Sequence, residues 1–215
     1  MLFRSSQHKN ILINDQGTPN EPSIVINPKN TNEIVAGSNI DFYYLSTDAG
    51  FTWKTGNLTS QYGVWGDPCV IVDTSGAFYF FHLSNPPSQI GSWIDRIVCQ
   101  KLSGIEGEWA TASYTFHQSF KAQDKEWAAV DPRNNNIYAA WTQFDKYGSA
   151  FPEDSSRLLF ARSTNSGASW SKAIQIGNLA GDCLDLDNTV EGANLAVGPQ
   201  GDRKSTRLNS SHGKL

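Results

Sequence analysis

Apolar residues in this chain recur in short runs that are separated by turn residues. Each run opens a unit with an acidic residue and a short apolar strand, and four such openings lie at 21–28, 66–73, 125–132 and 190–199. Turns rich in Asn, Gly, Pro or Asp follow the first three, and then come second and third strands rich in β-branched and aromatic residues. No segment keeps a helical period over the roughly 10 residues that a helix needs. The pattern therefore predicts an all-β fold of repeated antiparallel units.

The third strands run into the most specific motif of the chain. It reads STDAGFTW at 46–53 and STNSGASW at 163–170, and a degenerate copy, SGIEGEW, closes the second unit at 103–109. We expect a hairpin in which short polar side chains bond the amides of the turn, the glycine takes a positive φ, and the tryptophan folds beneath the turn. The structural positions of the two boxes are Ser46, Asp48, Gly50, Trp53, Ser163, Asn165, Gly167 and Trp170.

These motifs resemble the Asp-box, or BNR, repeats of the sialidase superfamily, over roughly residues 9–201. The resemblance implies a β-propeller of four-stranded antiparallel blades, with the box between the third and fourth strands. Since such rings close with six blades, residues 1–201, with units starting near 21, 67, 126 and 191, are expected to form a fragment of about three and a half blades. Residues 202–215 are polar and basic, and we expect a non-native or disordered tail there, with no strand.

Composition narrows the partners. Charged residues make up 18% of the chain and the net charge is −4, so no basic stripe is present and nucleic acid is not expected as a partner. The chain contains no run of about 18 apolar residues, so no membrane span is predicted. Cys69, Cys99 and Cys183 are expected to be buried thiols, with a Cys69–Cys99 disulfide as the alternative. The start of the chain lacks a signal-peptide pattern, whereas the resemblance implies a secreted, periplasmic or cell-surface protein.

Acidic residues at the openings of the first strands are the first candidates for a site. The resemblance places first strands nearest the propeller axis, so the substrate-binding candidates Glu21, Asp67, Glu126 and Glu191 are expected to ring one mouth. Either they cap strands and bond the neighbouring blade, or they form a pocket for a polyhydroxylated ligand or a cation such as Ca²⁺, or carboxylates for acid–base chemistry. No other cofactor is expected, and no metal site is predicted, because the histidines show no metal-ligand spacing.

A second set of acidic residues follows the second strands, near the same mouth. Asp41 and Asp95 are the candidates for a catalytic acid or base, and Asp145 is a candidate for substrate binding. Aromatic neighbours are candidates for stacking on sugar faces, and the alternative for each tryptophan is packing between blades. These neighbours are Trp65, Trp93, Trp141 and Tyr147.

Two classes of function remain. The resemblance implies a glycoside hydrolase related to exo-α-sialidases, with a glycan or glycoconjugate as its partner, and the alternative is a non-catalytic propeller that binds a glycan or a protein. Sialidases hold the sialate carboxylate with the arginine of an Arg-Ile-Pro motif, and Asn20 stands at that place here. The resemblance places the tyrosine nucleophile in later blades. The sequence leaves open both the choice between these classes and the oligomeric state.

Overall fold

The computed structural model describes residues 9–87, 93–184 and 188–200, together with the backbone of 203–209. Regular structure in these residues consists of β-strands, and none of them forms a helix long and apolar enough to cross a membrane. The first sheet contains β1 (Ser23–Ile26), β2 (Ile34–Ser38), β3 (Phe42–Ser46) and β4 (Lys54–Asn57). The second contains β5 (Cys69–Val72), β6 (Phe78–Leu83), β7 (Arg96–Leu102) and β8 (Ser113–His117). The third contains β9 (Ala122–Val130), β10 (Ile137–Phe144), β11 (Ser156–Ser163) and β12 (Ile174–Gln175).

Each sheet follows the order of the chain, with antiparallel neighbours joined by turns. The prediction of an all-β propeller with four-stranded antiparallel blades is confirmed. Side-chain bonds fix the turns after the first strands. Asp73, for example, accepts hydrogen bonds from the backbone N–H groups of Ser75 at 2.8 Å and Ala77 at 3.0 Å. An acidic or amide residue at this turn satisfies donors that the reversal of the chain leaves unpaired.

The second strand of each complete blade is its most deeply buried strand. β2, β6 and β10 are buried along their whole length, which explains why they read as continuous apolar runs. The core between the second and third blades includes Tyr79, Phe81, Trp141 and Phe144. All three cysteines are buried free thiols, so the disulfide alternative for Cys69 and Cys99 is wrong.

Both Asp-boxes form the predicted hairpin, with the same bonds in each. The Ser46 hydroxyl accepts from the N–H of Gly50 at 2.8 Å, and the Ser163 hydroxyl accepts from the N–H of Gly167 at 3.0 Å. The two glycines have φ of 86° and 76°. Trp53 donates its indole N–H to the Gly50 carbonyl at 3.0 Å, so its ring closes the underside of the first turn.

The second box uses its tryptophan differently. Trp170 donates to the Ser113 hydroxyl at 3.2 Å and packs edge-on against Phe81 with ring centroids 5.7 Å apart. The box of the third blade therefore also fastens that blade to the second. In the degenerate copy, the N–H of Gly107 donates to the Gly104 carbonyl at 2.8 Å, and Trp109 packs edge-on against Tyr43 and Phe80.

The fourth unit contributes two antiparallel strands, β13 (Val190–Val197) and β14 (Arg203–Asn209), which pair from Val190↔Asn209 to Val197↔Arg203. The expectation that no strand follows the turn is therefore wrong. The free edge of β13 offers backbone hydrogen bonds to any extended segment, whatever its side chains. Residues 202 and 210–215 of the predicted tail lie outside the described residues, as do residues 1–8 and 201. The non-native origin of the tail stays a prediction.

Candidate carboxylate site at the blade mouths

The first strand of each unit begins with an irregularity in its pairing. In the third blade Lys125 and Glu126 lie opposite a single residue of β10, Trp141. In the second blade Asp67 and the proline after it lie opposite His82 of β6 in the same way. Each irregularity is a β-bulge, a device that re-aims side chains and is common beside active sites. We call the sheet edge that carries these bulges the mouth.

The residue that begins the bulge has a positive φ in every unit. The angle is 49° at Glu21, 53° at Asp67, 45° at Lys125 and 72° at Gly192. A left-handed backbone costs a residue other than glycine about 1–2 kcal/mol. Strain of this kind persists where the surrounding structure imposes it, and it clusters at functional sites. Its repetition at three non-glycine residues points to the mouth as the candidate site.

The bulge corrects the predicted ring of four acidic residues. Lys125 occupies the place that was expected for Glu126, and Gly192 occupies the place that was expected for Glu191. The expectation that one repeat position carries four acidic residues is wrong for the third and fourth units. Equivalent positions of the repeat share a left-handed backbone and do not share an acidic side chain.

Lys125 contacts Glu21 and Asp67, the two acidic residues that occupy the same repeat position in the first and second blades. Its Nζ lies 3.0 Å from Oδ2 of Asp67 and 3.3 Å from both carboxylate oxygens of Glu21. A hydrogen bond from Asp67 lowers the pKa of Glu21, and the charge of Lys125 lowers it further. Burial raises the pKa of Asp67 to about 7, and its contact with Glu21 acts in the same direction. Although burial lowers the pKa of Lys125, the charges of Asp67 and Glu21 raise it overall.

Glu126 is a third carboxyl group in the same place. Its residue is 5% exposed, and neither carboxyl oxygen has a hydrogen-bond partner among the described residues. Burial raises the pKa of Glu126 well above its ordinary value, and the charge of Asp67 adds to the effect. Burial and the charge of Asp67 both favour the protonated form of Glu126, which can donate a hydrogen bond as well as accept one.

These side chains line one cleft of about 290 Å³. Glu21, Asp67, Lys125 and Glu126 contribute the polar side chains that titrate, and Trp127 presents a ring that is 43% exposed. From the fourth unit Gly192, Ala193 and Asn194 border the cleft, while Glu191 lies one residue earlier in β13. The structure thus brings three of the four predicted acidic residues to one cleft and adds a lysine that the prediction lacked.

The second predicted set is engaged in separate bonds. Asp95 is buried, and Arg96 donates hydrogen bonds of 2.7 Å to both of its carboxylate oxygens. Nε2 of His117 lies 3.1 Å from Oδ2 of Asp95. Burial alone would raise the pKa of Asp95, but the hydrogen bonds and charge of Arg96 hold it below its ordinary value. Asp41 accepts a hydrogen bond from the Asn57 side chain at 2.8 Å. The catalytic roles expected of Asp41 and Asp95 stay predictions.

Asp145 resembles Asp95 in its surroundings. Arg157 donates to both of its carboxylate oxygens, at 2.8 and 2.5 Å, and Lys121 contacts it at 2.6 Å. Burial opposes the shift, but the hydrogen bonds of Arg157 and Lys121 lower the pKa of Asp145 strongly. A carboxylate held by two cations has little capacity left for a ligand, so its predicted substrate contact has no support in this geometry.

The aromatic candidates divide by exposure. Trp65 and Trp93 lie edge-on to each other with centroids 6.4 Å apart, and they are 44% and 38% exposed. Trp141 is fully buried and donates to Gln123 at 2.8 Å, which is the packing alternative. Tyr147 packs edge-on against Phe144 at 5.0 Å.

No three histidine, cysteine or acidic side chains in the described part of the chain are arranged to hold a metal ion. In the cleft, the ammonium group of Lys125 lies between the two carboxylates. The Ca²⁺ expectation therefore stays a prediction.

The functional residue that sequence reasoning missed is Lys125. A signal for it exists, because Glu21, Asp67 and Lys125 all precede the turn after their first strand by the same number of residues. Aligning the units on that turn, rather than on acidic residues, identifies the position.

No protein-family model matches the chain, and no curated protein matches it. Among solved structures, a protein of unknown function from Dyadobacter fermentans DSM 18053 matches with 13% identity over 94% of this chain and 65% of its own, at a TM-score of 0.67. The Penicillium chrysogenum α-L-arabinanase complexed with arabinobiose matches with 11% identity over 72% of this chain and 49% of its own, at a TM-score of 0.50. A Hadza microbial sialidase matches with 12% identity over 67% of this chain and 33% of its own, at a TM-score of 0.41, which carries no weight for the fold.

The chain thus spans about two thirds of the first of these structures and about half of the second. At such identities the likeness concerns the fold alone. It agrees with the three complete blades, and the chain has a β-propeller fold.

Proposed function

We propose that this propeller acts on glycans, and that the cleft at the mouth is a glycoside-hydrolase site with Asp67 as proton donor and Glu21 as ionised carboxylate. The observation that supports it is the contrast between the two touching carboxyl groups. The pKa of Glu21 is lowered, while that of Asp67 is raised to about 7. Two carboxyl groups whose environments push their pKa values apart divide into an acid and an ionised carboxylate at the same pH.

Each residue of the cleft has a definite task in this proposal. Asp67 donates its proton to the glycosidic oxygen as the bond from that oxygen to the anomeric carbon breaks, and the negative charge of Glu21 stabilises the positive charge that develops on the sugar ring. Water then adds to the anomeric carbon and returns a proton to Asp67. Lys125 holds both carboxyl groups in place by its ion pair with Glu21 and its contact of 3.0 Å with Asp67. Glu126, which burial keeps protonated, adds no second negative charge to the cleft and leaves Glu21 as the ionised carboxylate.

The finer proposal, drawn from the Asp-box resemblance, is an exo-α-sialidase. Lys125 is the cation that this cleft offers to a sialate carboxylate, since Asn20 stands where the family has an arginine. A panel of fluorogenic glycosides, with a sialoside beside neutral glycosides, separates the two proposals. Release from the sialoside alone supports the sialidase, and release from neutral glycosides alone supports the broader proposal.

The catalytic test compares Asp67→Asn with Asp48→Asn, a matched change in the Asp-box turn. Loss of the proton donor should lower kcat by roughly 10²–10⁴-fold, whereas the control should keep wild-type turnover. A second candidate function is glycan binding without turnover, which the ion pairs of Lys125 with both carboxylates favour. Saturable binding of a glycan together with silence across the whole panel would select it.

A further inference from the structure

A row of aromatic side chains crosses the mouth of the second blade, outside the carboxylate cleft. It consists of Tyr62, Trp65, Trp93 and Tyr114, and we call it the aromatic row. Trp65 lies two residues before Asp67, and its N–H donates to the Leu83 carbonyl at 3.0 Å, at the end of β6. The row therefore begins beside the carboxylate that carries the proposed chemistry.

The outer half of the row is built around an arginine. Tyr62 and Tyr114 lie edge-on with centroids 5.2 Å apart, and the Arg96 guanidinium lies 4.7 Å from the first ring and 5.0 Å from the second. Because Asp95 accepts two hydrogen bonds of 2.7 Å from this guanidinium, the arginine is fixed in position and its charge is neutralised.

Hydrogen bonds tie the two halves together. The Ser84 hydroxyl donates to the Trp93 carbonyl at 3.2 Å and to Asp95 at 3.0 Å, and the N–H of Asn85 donates to the Tyr62 carbonyl at 2.9 Å. The backbone at Tyr62, Trp65 and Trp93 is thus held by the end of β6, so a ligand that stacks on these residues does not have to order their backbone.

The chemistry of the row identifies the class of ligand. Three of its rings are well exposed, with Tyr114 at 40% beside the two tryptophans, and exposed aromatic patches of this kind mark binding surfaces. Among the described residues the charged side chains around the row are Arg96, Asp95 and His117, and Asp95 contacts both of the others, so this part of the structure offers no free charge to an ionic ligand. Flat apolar faces with few polar groups suit the faces of neutral sugar rings.

We infer that the aromatic row binds successive units of a neutral glycan chain whose terminal unit occupies the carboxylate cleft. This inference rests on the proposed function, and it names the substrate class as an oligosaccharide or polysaccharide rather than a small glycoside. Affinity then depends on chain length, because each added unit reaches a further ring.

The test measures affinity for a ladder of neutral arabino-oligosaccharides and gluco-oligosaccharides, from monosaccharide to hexasaccharide. Wild-type affinity should rise with chain length for one series. Trp65→Ala and Tyr114→Ala should each remove about threefold to tenfold of the affinity for long chains and leave that for the monosaccharide unchanged. Trp65→Phe, which keeps a ring, should restore most of the gain. Phe51→Ala, at a 68% exposed aromatic residue on the first Asp-box turn, is the matched control.

A wild-type ladder that is flat, or one whose slope survives both alanine variants, overturns the inference. The Asp67→Asn variant distinguishes a failure of this inference from a failure of the proposed function. If Asp67→Asn abolishes turnover while the ladder is flat, the row fails and the catalytic site stands. If Asp67→Asn leaves turnover unchanged while Trp65→Ala flattens the ladder, the row stands and the catalytic assignment fails.

Discussion

Lys125 Nζ lies 3.0 Å from Oδ2 of Asp67 and 3.3 Å from both carboxylate oxygens of Glu21. One ammonium group thereby links the first-strand openings of three successive blades. The link fixes the geometry of the cleft and sets the proton affinity of both carboxyl groups, so its removal should be visible in both properties.

Replacing Lys125 by methionine should raise the pKa of Asp67 above its present value of about 7, because the cation that stabilises the ionised form is lost. Carbon-detected NMR titration of the carboxyl groups measures the shift directly. Lys121→Met is the matched control, because Lys121 pairs with Asp145 at 2.6 Å and is not among the described residues that line the cleft. An unchanged Asp67 titration in Lys125→Met would contradict the ion pair.

Asp67 should also make stability depend on pH. Its pKa is raised in the folded state from 3.8 to about 7, so the native protein holds a proton that the unfolded chain releases. This contribution is fully present below about pH 4 and is lost as the pH rises through about 7. Asp67→Asn should therefore gain on the order of 4 kcal/mol over wild type at pH 8, with little difference at pH 4. Urea unfolding at both pH values measures it, and an advantage that is equal at the two would refute the assignment.

The buried pair of Asp95 and Arg96 should matter for stability. Asp95→Ala leaves a buried guanidinium without its partner, which costs roughly 3–5 kcal/mol. Asp41→Ala removes a single hydrogen bond from Asn57 and should cost about 0.5–1.5 kcal/mol. Denaturant unfolding of the two variants compares the costs. Equal losses would mean that Asp95 is not the anchor of the mouth that its bonds indicate.

The two Asp-boxes differ in one titrating group, because the first has Asp48 where the second has Asn165. Hydrogen bonds from the hydroxyl and N–H of Thr52 lower the pKa of Asp48, whereas Asn165 accepts the corresponding N–H bond, from Ser169 at 3.0 Å, without any charge. A lowered pKa stabilises the fold above the unfolded value of 3.8 and loses that effect as the pH falls through the folded value. The difference in Tm between wild type and Asp48→Asn should therefore shrink in acid.

Asn165→Asp supplies the reciprocal change. It should introduce at the third blade the same acid-dependent contribution that Asp48→Asn removes from the first. Melting curves at neutral and acidic pH measure both variants, and parallel pH profiles in all three proteins would show that the box carboxylate does not contribute.

Much of the fold was predictable from the sequence, because its determinants are local. The bonds of Ser46 and Ser163 stay within their own turns, so the box motif defines its hairpin wherever it occurs. The buried second strands read as apolar runs for an equally direct reason. β14 escaped prediction because its partner strand, and not its own side chains, makes it a strand.

The site was less predictable, because its properties depend on other blades. The ion pair of Asp145 with Arg157 spans a turn and follows no recognised spacing. Trp141 and Trp65 are equally aromatic in the sequence, yet a neighbouring blade covers the first and leaves the second exposed. Lys125 was missed because a cation stands where the two preceding units carry an acidic residue.

The left-handed bulge at the start of each first strand separates the chemistry of this protein from its architecture. Glutamate, aspartate, lysine and glycine all occupy that position with nearly the same backbone. The residue type at this position, and with it the charge of the mouth, can therefore change in one unit without a change in the backbone of that unit. Saturation libraries confined to residues 21, 67, 125 and 192 should accordingly yield an unusually high proportion of folded variants with new specificities.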